Sequence, residues 1–403
     1  MKPSTFLFAL LYLTARCLSA HATQPQKFLV FDNKLDASWV KAHGKEYVFV
    51  WGASQKTMAD FAESAPGTKL SVYFPYARDP DPGNDLAHWQ TVHPDWIAYK
   101  CDQKTAAYFP GGKNVPLDIT NPAVVDWQHD LITHHKSATK TVAFDNFQLR
   151  NELGVCGVNI GPAFHAYYSG AAADTSFSNS VINWLEEISA KLHESGYRVI
   201  VNHIPDERMV GGLKDVDPDS VLTSRMVNAV DGILDEKANL ILNNGEVAKD
   251  IFRFAQDVQK KGKWLYLLYQ MIPLRAQEAQ TAIASYLMIA GPKTAISLSY
   301  YDRDYGSAPE FFGYDRDVGR PCESYEDDAG LFVRRFSGGI ALFVLPGRDP
   351  VQVRMPSGYV DVAAQPVLGI VNMDGGQGRV FYRNDNSGCS MHSDVRVKID
   401  VKA

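Results

Sequence analysis

Two apolar periods alternate along most of the chain. Short runs at 47–51, 69–74, 96–99, 142–145, 198–202, 230–234, 264–269 and 294–299 are continuously or alternately apolar, as buried strands are. Between them lie longer stretches whose apolar residues recur at helical spacing. Asn121 caps a run opening with Pro122, and 178–194 carries Val181, Ile182, Leu185, Ile188 and Leu192 before Gly196. The stretch 246–261 carries Val247, Ile251, Phe254, Ala255 and Val258 before Gly262. About eight strands with helices between them predict a (β/α)8 barrel of α/β class. From Gly330 the period shortens to runs at 331–336, 340–345, 351–355, 367–371 and 379–382, parted by Gly, Pro and Asp turns. That pattern predicts a small C-terminal antiparallel β-sandwich module.

The first residues read differently. Lys2, an apolar run from Phe6 to Thr14 and the small-residue end Ala20-His21-Ala22 have the form of an export signal, too short to span a bilayer. Cleavage is expected near Ala20 or Ala22, with a secreted or periplasmic product. The expected division is a signal peptide at 1–22, a barrel at 23–325 and the module at 326–403. No later stretch is apolar for long enough to span a membrane. A net charge of −6 gives no basic footprint for nucleic acid, and the product is expected to be a monomer. Four cysteines remain after processing, and pairing within each unit favours Cys101–Cys156 and Cys322–Cys389 among the three possible pairings.

In such barrels chemistry sits where the strands end. Around the stretch 141–148, small and apolar residues run into Asp145 and Asn146, with Ala143 and Asp145 on one face. The next strand ends in Asn202-His203, the following one in Asp235-Glu236, then Tyr269-Gln270 and Tyr300-Tyr301-Asp302. Acids, amides and aromatics suit sugar chemistry, in which one carboxyl group protonates the leaving oxygen and another attacks or activates water. Asp145 is the expected nucleophile or charge stabiliser and Glu236 the general acid/base. Asp235 is the alternative, because one step of register exchanges it with Glu236. Trp51, Tyr73, Asn146, Asn202, Tyr269, Gln270, Tyr301 and Asp302 are candidate substrate-binding residues. His203 and the pair His134 and His135 read as structural, and the acidic run 323–328 reads as a solvated linker. No HExxH, Gly-rich phosphate loop or Gly-x-Ser-x-Gly is present, and neither metal nor cofactor is expected.

The runs His93-Pro94-Asp95-Trp96-Ile97-Ala98-Tyr99, Asn114-Val115-Pro116-Leu117-Asp118-Ile119 and Ala143-Phe144-Asp145-Asn146 resemble glycosyl-hydrolase-like barrels, in particular hypothetical glycosyl hydrolase family fifteen. The pattern Val230-Asp231-Gly232 leading to Glu236 also resembles polygalactosaminidase-type barrels. The resemblance spans most of the barrel and implies a glycosidase fold with an extracellular or periplasmic polysaccharide or oligosaccharide substrate. Such barrels often carry Asp-Gly before the strand-four acid, where this chain has Val142-Ala143-Phe144. Two rival readings stand beside it: a silent barrel that only binds polysaccharide, and a metal-dependent hydrolase such as a deacetylase.

Overall fold

The computed structural model describes residues 24–134, 139–203, 220–270, 276–300, 305–308, 313–383 and 389. The expected signal peptide, His135, Tyr301 and Asp302 lie outside them.

Nine hydrogen-bonded segments form the main sheet: β1 (Lys27–Val30), β2 (Tyr47–Trp51), β3 (Lys69–Leu70), β4 (Val72–Pro75), β6 (Thr141–Phe147), β9 (Arg198–His203), β10 (Gly232–Asp235), β11 (Trp264–Gln270) and β12 (Thr294–Ser299). Segments β3 and β4 are halves of one strand broken at Ser71. β3 pairs with β2 and β4 with β6, while β1 joins β2 to β12. All these pairings are parallel, so the ring closes with eight strands. Helices α1 (Ala37–His43), α2 (Gln55–Ser64), α4 (Pro122–His134), α5 (Thr175–Glu194), α6 (Val221–Ala229), α7 (Gly245–Lys260) and α8 (Ala276–Ile289) form the jacket, and α3 (Leu86–Val92) lies in the long connection before α4. Asp174 and Asn244 cap α5 and α7 through side-chain oxygens. Gly196 and Gly262 follow these helices at positive φ, where other residues would be strained.

One expected barrel strand is reassigned. The run 96–99 is no barrel strand: Pro94–Trp96 is a 3-10 turn, and β5 (Tyr99–Lys100) pairs antiparallel with β7 (Val155–Ile160) in a side sheet completed by β8 (Ala163–Ala166). Its apolar residues instead fill a separate small core with Trp89, Val115 and Leu117. The missing strand is β1, only four residues long.

Alternation along the strands divides two cores. Phe28, Phe49, Trp51, Ala143, Ile200, Leu234, Tyr266 and Leu268 fill the barrel interior, while Val142, Phe144, Val201, Ile233, Leu265 and Leu267 meet the helices.

The C-terminal module comprises β13 (Glu326–Asp328), β14 (Leu331–Phe336), β15 (Gly339–Val344), β17 (Tyr359–Val360) and β19 (Gly378–Arg383) in one antiparallel sheet, and β16 (Val351–Met355) with β18 (Gly369–Met373) in another. Leu331, Val333, Ile340, Leu342 and Phe381 face the two-stranded sheet. Phe332, Ala341, Phe343, Val380 and Tyr382 belong to the core of the barrel's jacket. The acidic run 323–328 is accordingly no free linker: Glu326–Asp328 is a strand, and Glu323 and Glu326 pair with Arg335 at 2.6 and 2.9 Å. Disulfides join Cys101 to Cys156 and Cys322 to Cys389, the pairing that the sequence favours.

Candidate active site

Asp145 lies two residues beyond Ala143 on the inward face of β6, and Glu236 two beyond Leu234, just past the end of β10. Their side chains meet. The Asn202 Nδ2 group donates to Asp145 Oδ1 and to Glu236 Oε2, each at 2.7 Å. The two carboxylate oxygens are therefore no further apart than those two bonds laid end to end. Tyr73 Oη (2.9 Å) and Asn146 Nδ2 (2.6 Å) donate to Asp145 Oδ2. Tyr305 Oη (2.6 Å) and Gln270 Nε2 (3.3 Å) reach Glu236 Oε1, and Gln270 also donates to Tyr305 Oη. Each carboxylate thus accepts three hydrogen bonds from neutral donors, a set that directs its oxygens without cancelling their charge. Burial and the adjacent carboxylate, Asp145 for Tyr73 and Glu236 for Tyr305, push both phenols well above the ordinary tyrosine range. They stay protonated and remain donors.

The backbone is bent to make this arrangement. The pairing of β6 with β9 shifts register between Phe144 and Phe147, and Asn146 within that bulge has φ +58°. Phe31, immediately after β1, is also left-handed at φ +58°, a rare conformation for a bulky residue. Its ring lies 5.7 Å from that of Tyr73 and 6.0 Å from that of Tyr305. Phe31 is therefore a wedge between the two phenols that orient the two acids. Gly52 makes room for it, since a Cβ there would stand 2.5 Å from the Phe31 ring.

Tyr73, Asn146, Asn202 and Gln270 come together around Asp145 and Glu236, and the other described candidates do not. Trp51 is buried in the barrel interior and presents no face to a ligand. Tyr269, fully buried, faces the helices and bonds Ser285 Oγ at 2.9 Å. Asp235 shares that outward parity. It is almost wholly buried, accepts from the Lys237 amide, and is pushed up to about 7 by burial. Tyr305 and Phe31 escape the sequence reading. The phenol belongs to a loop without periodicity, and Phe31 closes a strand too short to register, although Phe28-Leu29-Val30-Phe31-Asp32 repeats the apolar-into-acid form of the stretch before Asp145. Among the described residues no group of three or more His, Cys, Asp or Glu side chains is placed to hold a metal ion.

In solved structures, the chain superposes on an α-amylase from Geobacillus thermoleovorans complexed with acarbose with a TM-score of 0.47 and 9% identity, over 91% of this chain and 99% of that one. An α-amylase from Malbranchea cinnamomea gives 0.48 and 12%, over 91% and 98%. A cyclic α-maltosyl-(1→6)-maltose hydrolase from Arthrobacter globiformis gives 0.47 and 12%, over 89% and 99%. No curated protein sequence matches. Residues 83–340, which include Asp145, Asn202, Glu236 and Gln270, match the family model of hypothetical glycosyl hydrolase family 15. That match spans more than half of the chain, which therefore belongs to this glycoside hydrolase family.

Proposed function

We propose that the chain is an exported enzyme that hydrolyses glycosidic bonds of a polysaccharide or oligosaccharide with net retention, Asp145 serving as nucleophile or charge stabiliser and Glu236 as general acid/base. The observation that carries this reading is the single amide hydrogen-bonded to both carboxylates. Retaining pairs stand roughly 5–5.5 Å apart and inverting pairs roughly 6.5–9.5 Å, because inversion needs room for a water between acid and sugar. Two nearest oxygens sharing one donor nitrogen fit the shorter of these separations. In the first step Glu236 gives its proton to the departing glycosidic oxygen while Asp145 forms the bond to the anomeric carbon. In the second, Glu236 takes a proton from the incoming water, which displaces Asp145. Tyr73 and Asn146 on one side, and Tyr305 and Gln270 on the other, hold the two carboxylates in place so that little reorganisation is needed as charge shifts. The two disulfides and the N-terminal pattern support export, and a silent binding barrel would have no use for two acids at this spacing.

The test is a screen of the purified protein against bacterial exopolysaccharides, with Asp145→Asn and Glu236→Gln as controls. Both variants should fold and lose hydrolysis. On aryl glycosides whose leaving group needs no proton, Glu236→Gln should still release the aryl group in a first-step burst, with turnover restored by an added anionic nucleophile such as azide, whereas Asp145→Asn should give no burst. Nuclear magnetic resonance of the first-formed product should show the starting anomer. The inverted anomer, or activity surviving in both variants, would refute the reading.

A further inference from the structure

The inward-facing side chains run in columns from the floor of the barrel to its mouth: Lys69 to Tyr73, Thr141 to Asp145, Arg198 to Asn202, and Trp264 to Gln270. At the mouth the columns end in groups bonded to the two acids. At the floor, where such barrels usually carry packed branched side chains, two of the four begin with cations, Lys69 and Arg198. A cavity of about 420 Å³ opens there, lined by Lys69, Arg198, Lys261, Lys263 and Lys293, with Asp231 the single acid.

The protein does little to neutralise these charges. Lys261 pairs with Asp257 at 2.8 Å. Lys263 donates to the Val230 carbonyl at 2.6 Å and Lys293 to the Gly262 carbonyl at 2.5 Å, contacts that leave their charge in place. Asp231 Oδ2 accepts from the Val199 amide and lies 2.9 Å from His193 Nε2. Among the described residues Lys69 and Arg198 have no acid within ion-pair distance. The Lys69 ammonium lies over the Trp264 ring at 4.9 Å, and that ring stacks nearly parallel to Tyr266. Gly232 permits this wall, since a Cβ there would come within 2.9 Å of the Trp264 Cβ. Burial, Arg198 and Lys293 together lower the Lys69 pKa, the mark of charges that repel one another. Four unpaired cations against one engaged acid are a local reversal in a chain of net charge −6.

We propose that this floor cavity is a second binding site, separate from the two carboxylates, that takes a small oxyanion of the phosphate or sulfate class, free or as an ester on a sugar. The guanidinium of Arg198 offers paired N–H donors to two oxygens, and the lysines supply point charges to the others. Trp264 and Tyr266 give the cavity an aromatic side beside these cations.

The experiment is calorimetric titration of the full chain with inorganic phosphate, inorganic sulfate and glucose 6-phosphate, with parallel thermal melts in sodium chloride of matched ionic strength. Phosphate or its ester should bind with one site per chain and raise Tm beyond the chloride control, the tighter of the two identifying the source. Lys69→Met and Arg198→Met should each weaken binding at least tenfold. In phosphate-free, low-salt buffer neither variant should melt below the wild type, because each removes a repulsion. Equal stabilisation by chloride, binding undiminished in both variants, or both variants melting lower without anion would overturn the proposal.

Discussion

One hydrogen of the Asn202 amide goes to Asp145 and the other to Glu236, while Asn202 Oδ1 is buried without a partner among the described residues. No other uncharged side chain of that length can donate twice from one nitrogen. Asn202→Ala should lower kcat/KM on the order of 10²-fold, the usual effect of deleting one well-placed donor. Asn202→Asp should lower it further, because a third carboxylate then repels the other two; equal activity in these variants would show the bridge to be idle. The amides of Asn202 and Gln270 were legible in the sequence because strand parity places them on the face of Asp145, whereas Asn146, one residue on, reaches that carboxylate only through the bulge. The same parity, applied from one residue away, rules out Tyr269 and Asp235, and depth in the barrel rules out Trp51. Phe31 was not legible, since its left-handed backbone and its pocket over Gly52 exist only once β1 and β2 are adjacent.

Strand β10 places Gly232, Leu234 and Glu236 toward the barrel axis and Ile233 and Asp235 toward the helices. A carboxyl group buried among the helices has its folded-state pKa raised to about 7, against about 3.9 when unfolded. The folded state binds more protons between those values, so this group lowers stability progressively as pH rises from about 4 to about 7, and the cost is complete above that window. Asp235→Asn, which keeps an acceptor for the Lys237 amide, should therefore stabilise the protein most above pH 7 and hardly at pH 4. Urea unfolding at the two pH values measures it, and a gain equal at both would contradict the burial argument. The same element shows why eight strands could be anticipated while one of them was misplaced. Run length and apolarity are alike in 96–99 and in β1, and only pairing separates a barrel strand from a side sheet.

At the scale of the molecule, the large sheet of the C-terminal module has no free face. Phe332 and Phe343 pack against Phe252 of α7 at 5.4 and 6.0 Å between ring centroids. Arg334 donates to the carbonyls of Leu287, Met288 and Ala290 at the end of α8. The antiparallel strands were readable from their turns, but this shared core was not, because the sequence shows two periods and not where they touch. A chain ending at residue 325 should aggregate or melt far below the full protein, and the full protein should unfold in one transition by scanning calorimetry. A soluble barrel with an unchanged Tm would establish the opposite.

The side lobe has its own consequence. Its strands come from two different connections, β5 after β4 and the pair β7–β8 after β6, and Cys101–Cys156 fastens them together. Loops leaving those strand ends usually set which ligand a barrel admits. Among the described strands β5 pairs with β7 alone and the disulfide needs a thiol from each segment, so a graft that changes ligand preference must transplant both segments and both thiols at once, and homologous recombination between the two segments would leave each parent's half unmatched.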